Sequence, residues 1–399
     1  MPYLTLSHTV KLPDPMKLER FRRAPKLGPR LLFFSGGTAL RELSQELVHY
    51  THRSIHIITP FDSGGSSARL REAFGMPAVG DIRNRLMALA DCSLAGNSEI
   101  LELFSYRFPK DETPKALWSR LARLLSGKDR RMARVPYYIR HIVQQYLEFL
   151  AEDLPSGFDL RNASVGNFIL ASGYCSFKRR LDPAIYFFAK LVETQGIVRP
   201  VLENNLYLGA ELEDDNIILG QHRLTGKGTA PIGQSIRRLF LSKSLNKQEP
   251  TVPAIPKRLA NLIGGADLIC YPPGSFWTSI IANLLPAGVG QAVAMTNCPK
   301  IYVPNSAPDP EQVAMTLSKS VNILLATLRA DCNVDVPTEQ LLNVVLIDGE
   351  HATSLRPEPA EIDWLAKQGI TVVDLPLSSQ PRAPWIDGRR LAKALLSIV

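Results

Sequence analysis

Two short apolar runs near the start of the chain flank a stretch with helical periodicity. Residues 30–34 and 54–59 are almost continuously apolar, which is typical of strands buried on both faces of a parallel sheet. Between them, leucines recur every three or four residues over positions 40–47, after Thr38 as a candidate helix N-cap. Strand, helix and strand at this spacing predict one βαβ unit, and therefore the start of a doubly wound α/β fold.

The middle of the chain changes character, because its apolar residues follow a helical period. Residues 80–195 are predicted to be mostly α-helical, including segments 99–104, 115–125, 137–150, 165–171 and 184–192. Strand patterns return at 205–211, 217–219 and 236–241, and then at 267–270, 300–303, 344–347 and 371–373. Helices are predicted at 278–285, 311–328 and 389–398. The pattern predicts an α/β fold: a three-layer Rossmann-like core with a single, mostly parallel sheet and a helical insertion.

Composition narrows the class of protein. Of the 399 residues, 45% are hydrophobic and 21% charged, a balance that excludes intrinsic disorder. No apolar stretch reaches the ~18 residues that a membrane helix needs, so we expect no membrane partner. The five cysteines are dispersed without CxxC spacing, and residues 1–6 do not resemble a secretory signal. Both observations favour a cytoplasmic protein with reduced thiols.

The formal net charge of +8 favours an anionic partner. Basic residues cluster in a lead-in, residues 1–29, and in a loop at 127–134. The lead-in does not interleave aromatic residues with its charges, as single-strand binding would require. We therefore interpret it as a solvated segment and disfavour nucleic acid as a partner.

Glycine-rich loops follow both of the first two predicted strands. The first is Ser35-Gly36-Gly37-Thr38, whose glycines let the backbone approach an anion, although it is neither a P-loop nor a GxGxxG motif. The second runs from Asp62 to Arg69 and combines a carboxylate, two glycines, three hydroxyls and a guanidinium. Asp62 stands where an acid can hold a ribose hydroxyl or a divalent cation. A tight turn and a flexible surface loop are the competing interpretations.

Three further segments are candidates for the same cleft. Residues 80–84 begin a predicted helix, in which Asp81 can cap the helix while Arg83 and Asn84 face a ligand. Gly166-Asn167 interrupts an apolar helical pattern and indicates either close packing or a ligand. Residues 272–275, Pro-Pro-Gly-Ser, follow another predicted strand.

Together these strings resemble the CofD/YvcK family. The segments that carry the resemblance are 35–38 (SGGT), 62–71 (DSGGSSARLR), 80–84 (GDIRN), 103–108 (LFSYRF), 166–167 (GN), 266–268 (ADL), 273–279 (PGSFWTS), 283–285 (NLL) and 299–305 (PKIYVPN). GGSSARLR, GDIRN and LFSYRF are more similar to the YvcK branch. The chain is also similar to CofD-like proteins that are associated with an ATP-grasp system.

The resemblance implies a nucleotide ligand and, in one branch, a reaction. CofD enzymes transfer a phospholactyl group from a GDP-type diphosphate donor to an alcohol, release GMP and use a divalent metal. YvcK-like proteins, called gluconeogenesis factors, bind UDP-sugars. Four departures stand out: Ala39 replaces the last glycine of a GGTG-type turn, Ser63 replaces the second acid of DDGG, Ala68 replaces the last glycine of GGSSG, and residues 109–159 form a helical insertion. The insertion implies either a cover over the cleft or a protein interface.

The sequence hypothesis is a CofD/YvcK-like α/β domain over residues 30–399 that binds a nucleotide diphosphate or nucleotide sugar. The residues expected to bind it are Gly36, Gly37, Thr38, Gly64, Gly65, Ser66, Ser67, Arg69, Asp81, Arg83, Asn84, Asn167, Gly274 and Ser275. In a phospho-group transferase, Asp62 would be the catalytic residue that orients the acceptor hydroxyl or binds Mg²⁺. In the alternative, a non-catalytic regulator, a bound UDP-sugar biases contact with a protein partner. The sequence leaves a homodimer open.

Overall fold

The structure, a computed structural model, describes residues 9–226, 232–332 and 334–399. Its strands are β1 (Leu31–Ser35), β2 (Ile55–Ile58), β3 (Ile197–Pro200), β4 (Tyr207–Leu212), β5 (Ile217–Leu219), β6 (Ile236–Ser242), β7 (Pro250–Thr251), β8 (Leu268–Tyr271), β9 (Lys300–Tyr302), β10 (Val344–Ile347) and β11 (Thr371–Asp374). Every predicted strand is present, with ends shifted by at most two residues. The structure adds β3 and β7.

Helices surround and connect these strands. They are α1 (Pro15–Arg23), α2 (Arg41–Leu47), α3 (Gly65–Phe74), α4 (Gly80–Ala88), α5 (Asn97–Ser105), α6 (Pro114–Leu125), α7 (Arg130–Arg134), α8 (Tyr137–Asp153), α9 (Val165–Ser176), α10 (Leu181–Leu191), α11 (Gln221–Leu224), α12 (Lys257–Gly264), α13 (Ala282–Leu284), α14 (Val289–Ala294), α15 (Leu317–Arg329), α16 (Pro359–Lys367) and α17 (Gly388–Ile398). A π-helical turn, Phe276–Ile281, leads into α13, and short 3₁₀ turns lie at Pro25–Leu27 and Thr338–Gln340. Within the described part of the chain, no helix combines the length and apolarity needed to cross a membrane.

Seven parallel strands form the main sheet, in the order β11-β10-β9-β8-β1-β2-β3. Alternate residues of β1 enter different cores: Leu31 and Phe33 pack with leucines of α2 and α17, whereas Leu32 and Phe34 pack in the core on the opposite face. This alternation confirms the predicted three-layer Rossmann-like architecture. The strand order reverses between β1 and β8, and the carboxyl ends of strands at such a reversal are where α/β folds bind ligands.

The prediction of a single sheet is wrong. Strands β4 to β7 form a separate antiparallel sheet, in the order β5-β4-β6-β7. The physical reason is connection length: β4 and β5 are joined by a tight turn, and a turn of that length can only join antiparallel neighbours.

The lead-in also differs from the solvated segment that we expected. Asp14 caps α1 by accepting from the backbone N–H groups of Met16 and Lys17. Leu18 is buried, and the Lys17 ammonium donates to the carbonyls of Ser397 and Val399 at 2.9 and 2.7 Å. The basic helix α1 is therefore part of the fold and packs against α17.

Residues 109–159 are helical as predicted, with α6, α7 and α8 inside this range. Helix α8 packs against α9 through Val143, Leu147 and Leu150, all buried. The predicted helix at 311–328 begins later, at Leu317, with Thr316 as its N-cap. The preceding residues instead hold the turn after β8, because Asp309 and Glu311 accept hydrogen bonds from it.

Candidate functional site

The glycine loop that follows β1 packs closely against its neighbours. A Cβ atom on Gly36 would lie 2.6 Å from the Ser279 Oγ, and one on Gly37 would lie 2.2 Å from Oδ1 of Asp81. Only glycine fits at position 37, whereas a side chain at position 36 would require the Ser279 hydroxyl to move. Thr38 is not the N-cap that we predicted: α2 begins at Arg41, and the Thr38 carbonyl accepts from the Arg41 backbone N–H.

Arg85 holds this loop from behind, and the sequence analysis missed it. Its guanidinium is fully buried and donates to the carbonyls of Gly36 and Leu40 at 2.9 and 2.7 Å. Burial lowers the pKa of Arg85 to about 10, so the side chain is charged at neutral pH. The available signal was a second arginine, two residues after Arg83.

The turn after β8 forms the opposite wall. Gly274 has φ +147°, and Asn305 clamps it by accepting from its N–H at 2.8 Å and donating to its carbonyl at 2.7 Å. Asp309 accepts a hydrogen bond from the backbone N–H of Phe276, two residues after Gly274, at 2.9 Å. The position of this turn is therefore set by polar side chains around it.

Between these two loops lies a cavity of about 170 Å³, which we call the switch-point cavity. Its polar lining residues are Ser35, Gly36, Gly37, Thr38, Asp81, Gln221, Thr225, Gly274, Ser275 and Ser279. The structure thus brings together the predicted residues from three separate segments. Gln221 and Thr225, which the sequence analysis missed, come from α11 and the residue after it, beyond the antiparallel strand β5. No residue of the described insertion at 109–159 lines this cavity.

The loop after β2 lies beside the cavity and bonds internally. The Asp62 Oδ1 accepts from the Gly64 backbone N–H at 3.1 Å, and the Ser63 Oγ lies 2.8 Å from the His222 Nδ1. Gly65, with φ +52°, begins α3, whose first turn carries the buried Ser66 and Ser67. None of these residues lines the switch-point cavity.

Ser67 and Asn167 meet at the start of α4. A Cβ atom on Gly80 would lie 3.1 Å from the Ser67 Oγ and 4.0 Å from the Asn167 Nδ2. Asn167 is buried and its Oδ1 has no hydrogen-bond partner within the described residues. These two predicted residues therefore lie beside Gly80, the residue before Asp81, but do not line the cavity.

Arg69 does not face the cavity. Its guanidinium forms an ion pair with Asp159 at 2.6 Å and donates to the carbonyl of Arg161. The guanidinium of Arg69, which we expected to hold phosphate, is thus neutralised by Asp159, in the segment before α9.

Arg83 and Asn84 line a second cavity, of about 390 Å³, that shares Gly37 and Thr38 with the first. Arg83 donates to the Ser164 hydroxyl and to the Asn84 amide oxygen. Burial lowers the pKa of Arg83 to about 10, so it too is charged at neutral pH. A Cβ atom on Gly166 would lie 2.7 Å from the Arg83 Cδ, which confirms close packing at that glycine.

A resident metal ion is not favoured by the donor set. Among residues 9–226, 232–332 and 334–399, no three histidine, cysteine or carboxylate side chains converge as metal ligands. Asp62 already accepts a backbone hydrogen bond. The described residues offer no all-protein cage for Mg²⁺, and we derive no step through one.

Comparison with known proteins gives the family. The sequence model described as 2-phospho-L-lactate transferase CofD matches residues 31–378. A gluconeogenesis factor from Bacillus subtilis is 27% identical over 357 residues, covering 86% of this chain and 90% of that protein. Another, from Halalkalibacterium halodurans, is 28% identical over 278 residues, 69% of this chain and 66% of that protein.

A crystal structure of a UPF0052-family protein from Bacillus halodurans has the same fold. It superimposes with a TM-score of 0.66 at 22% identity, covering 92% of this chain and 99% of that one. The family match spans most of the chain, including β1, β8 and the loops that follow them. The chain belongs to the CofD family.

Proposed function

We propose that this protein binds a nucleoside diphosphate or nucleotide sugar, with the diphosphate in the switch-point cavity. The observation that carries the proposal is the convergence of Gly36-Gly37-Thr38 and Gly274-Ser275 at the carboxyl ends of adjacent strands, β1 and β8. Loops without bulky side chains and with hydroxyl donors suit phosphate oxygens, and the strand-order reversal is where such ligands bind.

Asp81 has a different part in this proposal. Its carboxylate lines the same cavity, and an ionised carboxylate can only accept hydrogen bonds. It would repel phosphate oxygens and accept from a hydroxyl, such as that of a ribose, a sugar or an acceptor alcohol. Arg83 and Arg85 both experience the charge of Asp81, which offsets part of its repulsion toward the diphosphate.

A transferase is the second candidate, and the family match supports it. The acceptor oxygen would form a bond to the distal phosphorus, and the bond to the bridging oxygen would break. The nucleoside monophosphate would leave with that electron pair, while the acceptor proton passes to a carboxylate. Asp81 is better placed for this role than Asp62, because Asp81 lines the cavity and Asp62 does not.

Calorimetric titration with GDP, UDP-N-acetylglucosamine and GMP, with and without Mg²⁺, tests the binding. We expect one of the diphosphates to bind more tightly than GMP and to do so without Mg²⁺. Ser275→Ala removes a cavity hydroxyl that caps no helix, and should weaken binding about three- to tenfold. Ser156→Ala, at an exposed serine in the insertion, is the matched control and should have no effect.

Two results would contradict the proposal: no diphosphate binding, or equal effects of both serine substitutions. Incubation with a diphosphate donor and alcohol acceptors, with nucleoside monophosphate measured by chromatography, separates the two functions. A transferase releases nucleoside monophosphate, and a non-catalytic binder does not.

A further inference from the structure

We propose that a second, separate anionic molecule binds in a groove on the other side of the glycine loop. The inference rests on the proposed function in one respect: the nucleotide fills the switch-point cavity and leaves this groove accessible. The occupant is a small organic anion with a phosphate or carboxylate at one end and an apolar body.

The groove is formed by two adjacent cavities. One, of about 390 Å³, begins at Gly37 and Thr38; the other, of about 550 Å³, ends at Arg22 and His52. They share four lining residues, Gln45, Met87, Ala88 and Cys92. Each volume lies within the range of small-molecule sites, roughly 300–1,000 Å³.

One face of α2 and the turn after it forms the wall of the groove. Arg41, Gln45 and His49 follow one another at intervals of four residues, which places them on the same side of a helix. Eight residues of helical rise correspond to about 12 Å. The groove is therefore long enough for a molecule larger than a single phosphate.

The charge of the groove is positive near the glycine loop. Arg41 is exposed and makes no hydrogen bond or ion pair within the described residues, so its guanidinium is available to an anion. Arg83, which lines the same cavity, donates to Ser164 and Asn84, and its charge is partly offset by Asp81. The carboxylates of α2 are used elsewhere: Glu42 pairs with Arg382, and Glu46 accepts from the Tyr50 hydroxyl.

The far end of the groove carries one carboxylate and one guanidinium, so its charges balance. Asp91 is the carboxylate there, and it accepts from the backbone and hydroxyl of Ser93. Arg22 of α1 also lines this end and pairs with no described carboxylate. The groove thus gives the basic helix α1 a role in binding.

The shape of the site indicates a second molecule instead of a tail of the first. Gly37 and Thr38 are the residues common to the two cavities, so the loop stands between them as a wall. Met87 and Leu101 supply an apolar floor beside the arginines, which suits the body of an organic anion.

The test is titration of inorganic pyrophosphate into protein already saturated with GDP. We expect saturable binding that Arg41→Ala weakens at least tenfold, while Arg20→Ala leaves it unchanged. Arg20 is an exposed arginine of α1 that makes no ion pair with a described carboxylate and lines neither cavity of the groove, so it controls for loss of charge. Equal loss in both variants, or no loss in Arg41→Ala, would overturn the proposal.

The two proposals fail in different ways. If neither GDP nor UDP-N-acetylglucosamine binds, the proposed function fails, and pyrophosphate binding that depends on Arg41 but not on Ser275 still supports the groove. If GDP binds and displaces all pyrophosphate, the groove fails and the function stands. Displacement of pyrophosphate from the GDP-saturated protein by single-stranded DNA, with an affinity that falls steeply with salt, would overturn the small-molecule assignment in favour of nucleic acid.

Discussion

The loops after β1 and β2 end neighbouring parallel strands, yet only one of them lines the switch-point cavity. The loop after β2 has more hydrogen-bonding side chains, and by residue type alone it is the better candidate for binding phosphate. In the structure those side chains bond within the protein: Asp62 to Gly64, Ser63 to His222, and Arg69 to Asp159. The loop after β1, Ser35-Gly36-Gly37-Thr38, has only two side chains that can form hydrogen bonds, and it lines the cavity. Donor-rich side chains therefore predict internal bonding as readily as ligand binding.

The largest expected difference between the two loops is in their response to a glycine-to-alanine substitution, which adds one methyl group. In Gly37→Ala the new Cβ would lie 2.2 Å from the Asp81 Oδ1 and 2.8 Å from the Asp81 Cα, so backbone must move. We expect a loss of about 1–3 kcal/mol in the free energy of unfolding and at least tenfold weaker GDP binding. Gly65→Ala meets no atom within 4 Å but holds φ +52°, so it should cost only about 1–2 kcal/mol and leave binding unchanged.

Urea denaturation and calorimetry of both glycine variants check this contrast. Weaker GDP binding in Gly65→Ala than in Gly37→Ala would reverse the comparison.

The third loop, after β8, is supported by a buried carboxylate with unusual titration. Glu311 accepts from the Thr278 N–H at 2.9 Å and hydroxyl at 2.6 Å. Burial first, and the charge of Asp309 second, raise the pKa of Glu311 from 4.5 to about 7. Because the folded-state pKa exceeds the unfolded one, its stabilising contribution is complete below pH 4.5 and is lost as pH rises through about 7.

The pH dependence of unfolding is the measurement for this loop. Stability should fall between pH 4.5 and 7 with a slope of up to about 1.4 kcal/mol per pH unit from this group. Glu311→Gln should flatten the profile, whereas Glu72→Gln, at an exposed glutamate, should not. Burial also raises the pKa of Asp309, which contributes in the same direction and so leaves a residual slope. An unchanged slope in Glu311→Gln would contradict the assignment.

A smaller effect is expected where the second loop touches α11. Ser63→Ala removes the hydrogen bond to His222, which should cost about 1 kcal/mol of stability. Because Gln221 of the same helix lines the cavity, GDP affinity should also fall, by about threefold. Ser66→Ala in the same loop removes no described hydrogen bond and is the control. Equal affinities in both variants would show that α11 is not coupled to this loop.

The smallest effect is expected at Arg69. Its ion pair with Asp159 is partly exposed, with 27% and 32% of the side chains accessible, so Arg69→Ala should cost less than about 1 kcal/mol. GDP affinity should not change. A tenfold loss of affinity by calorimetry would instead make Arg69 a ligand contact and restore the original sequence prediction.

Local pattern was enough for most of the fold. The strands of the main sheet are mostly apolar runs, and in β3, which the pattern did not predict, Arg199 and Pro200 interrupt the run. The sequence pattern does not show which strands pair with each other when they are far apart in the chain. Nothing in residues 205–241 shows that their strands leave the main sheet, although their short connections favour antiparallel pairing.

The site divides in the same way. Gly36, Gly37, Thr38, Gly274 and Ser275 were predictable, because carboxyl ends of parallel strands lie at one edge of a sheet. Ser279 and Gln221 reach the cavity, and Arg85 reaches the glycine loop behind it, through tertiary packing, which sequence spacing does not encode. The pairing of Arg69 with Asp159 spans ninety positions and was hidden for the same reason.

The wall formed by Gly37 and Thr38 has a thermodynamic consequence. A loop that is two residues thick and contacts a cavity on each side cannot shift toward one ligand without shifting away from the other. Occupancy of either cavity should then alter affinity in the other by the same factor, since linkage between two binding equilibria is reciprocal. The loop after β1 would in that case act as the coupling element of the protein as well as part of its binding site.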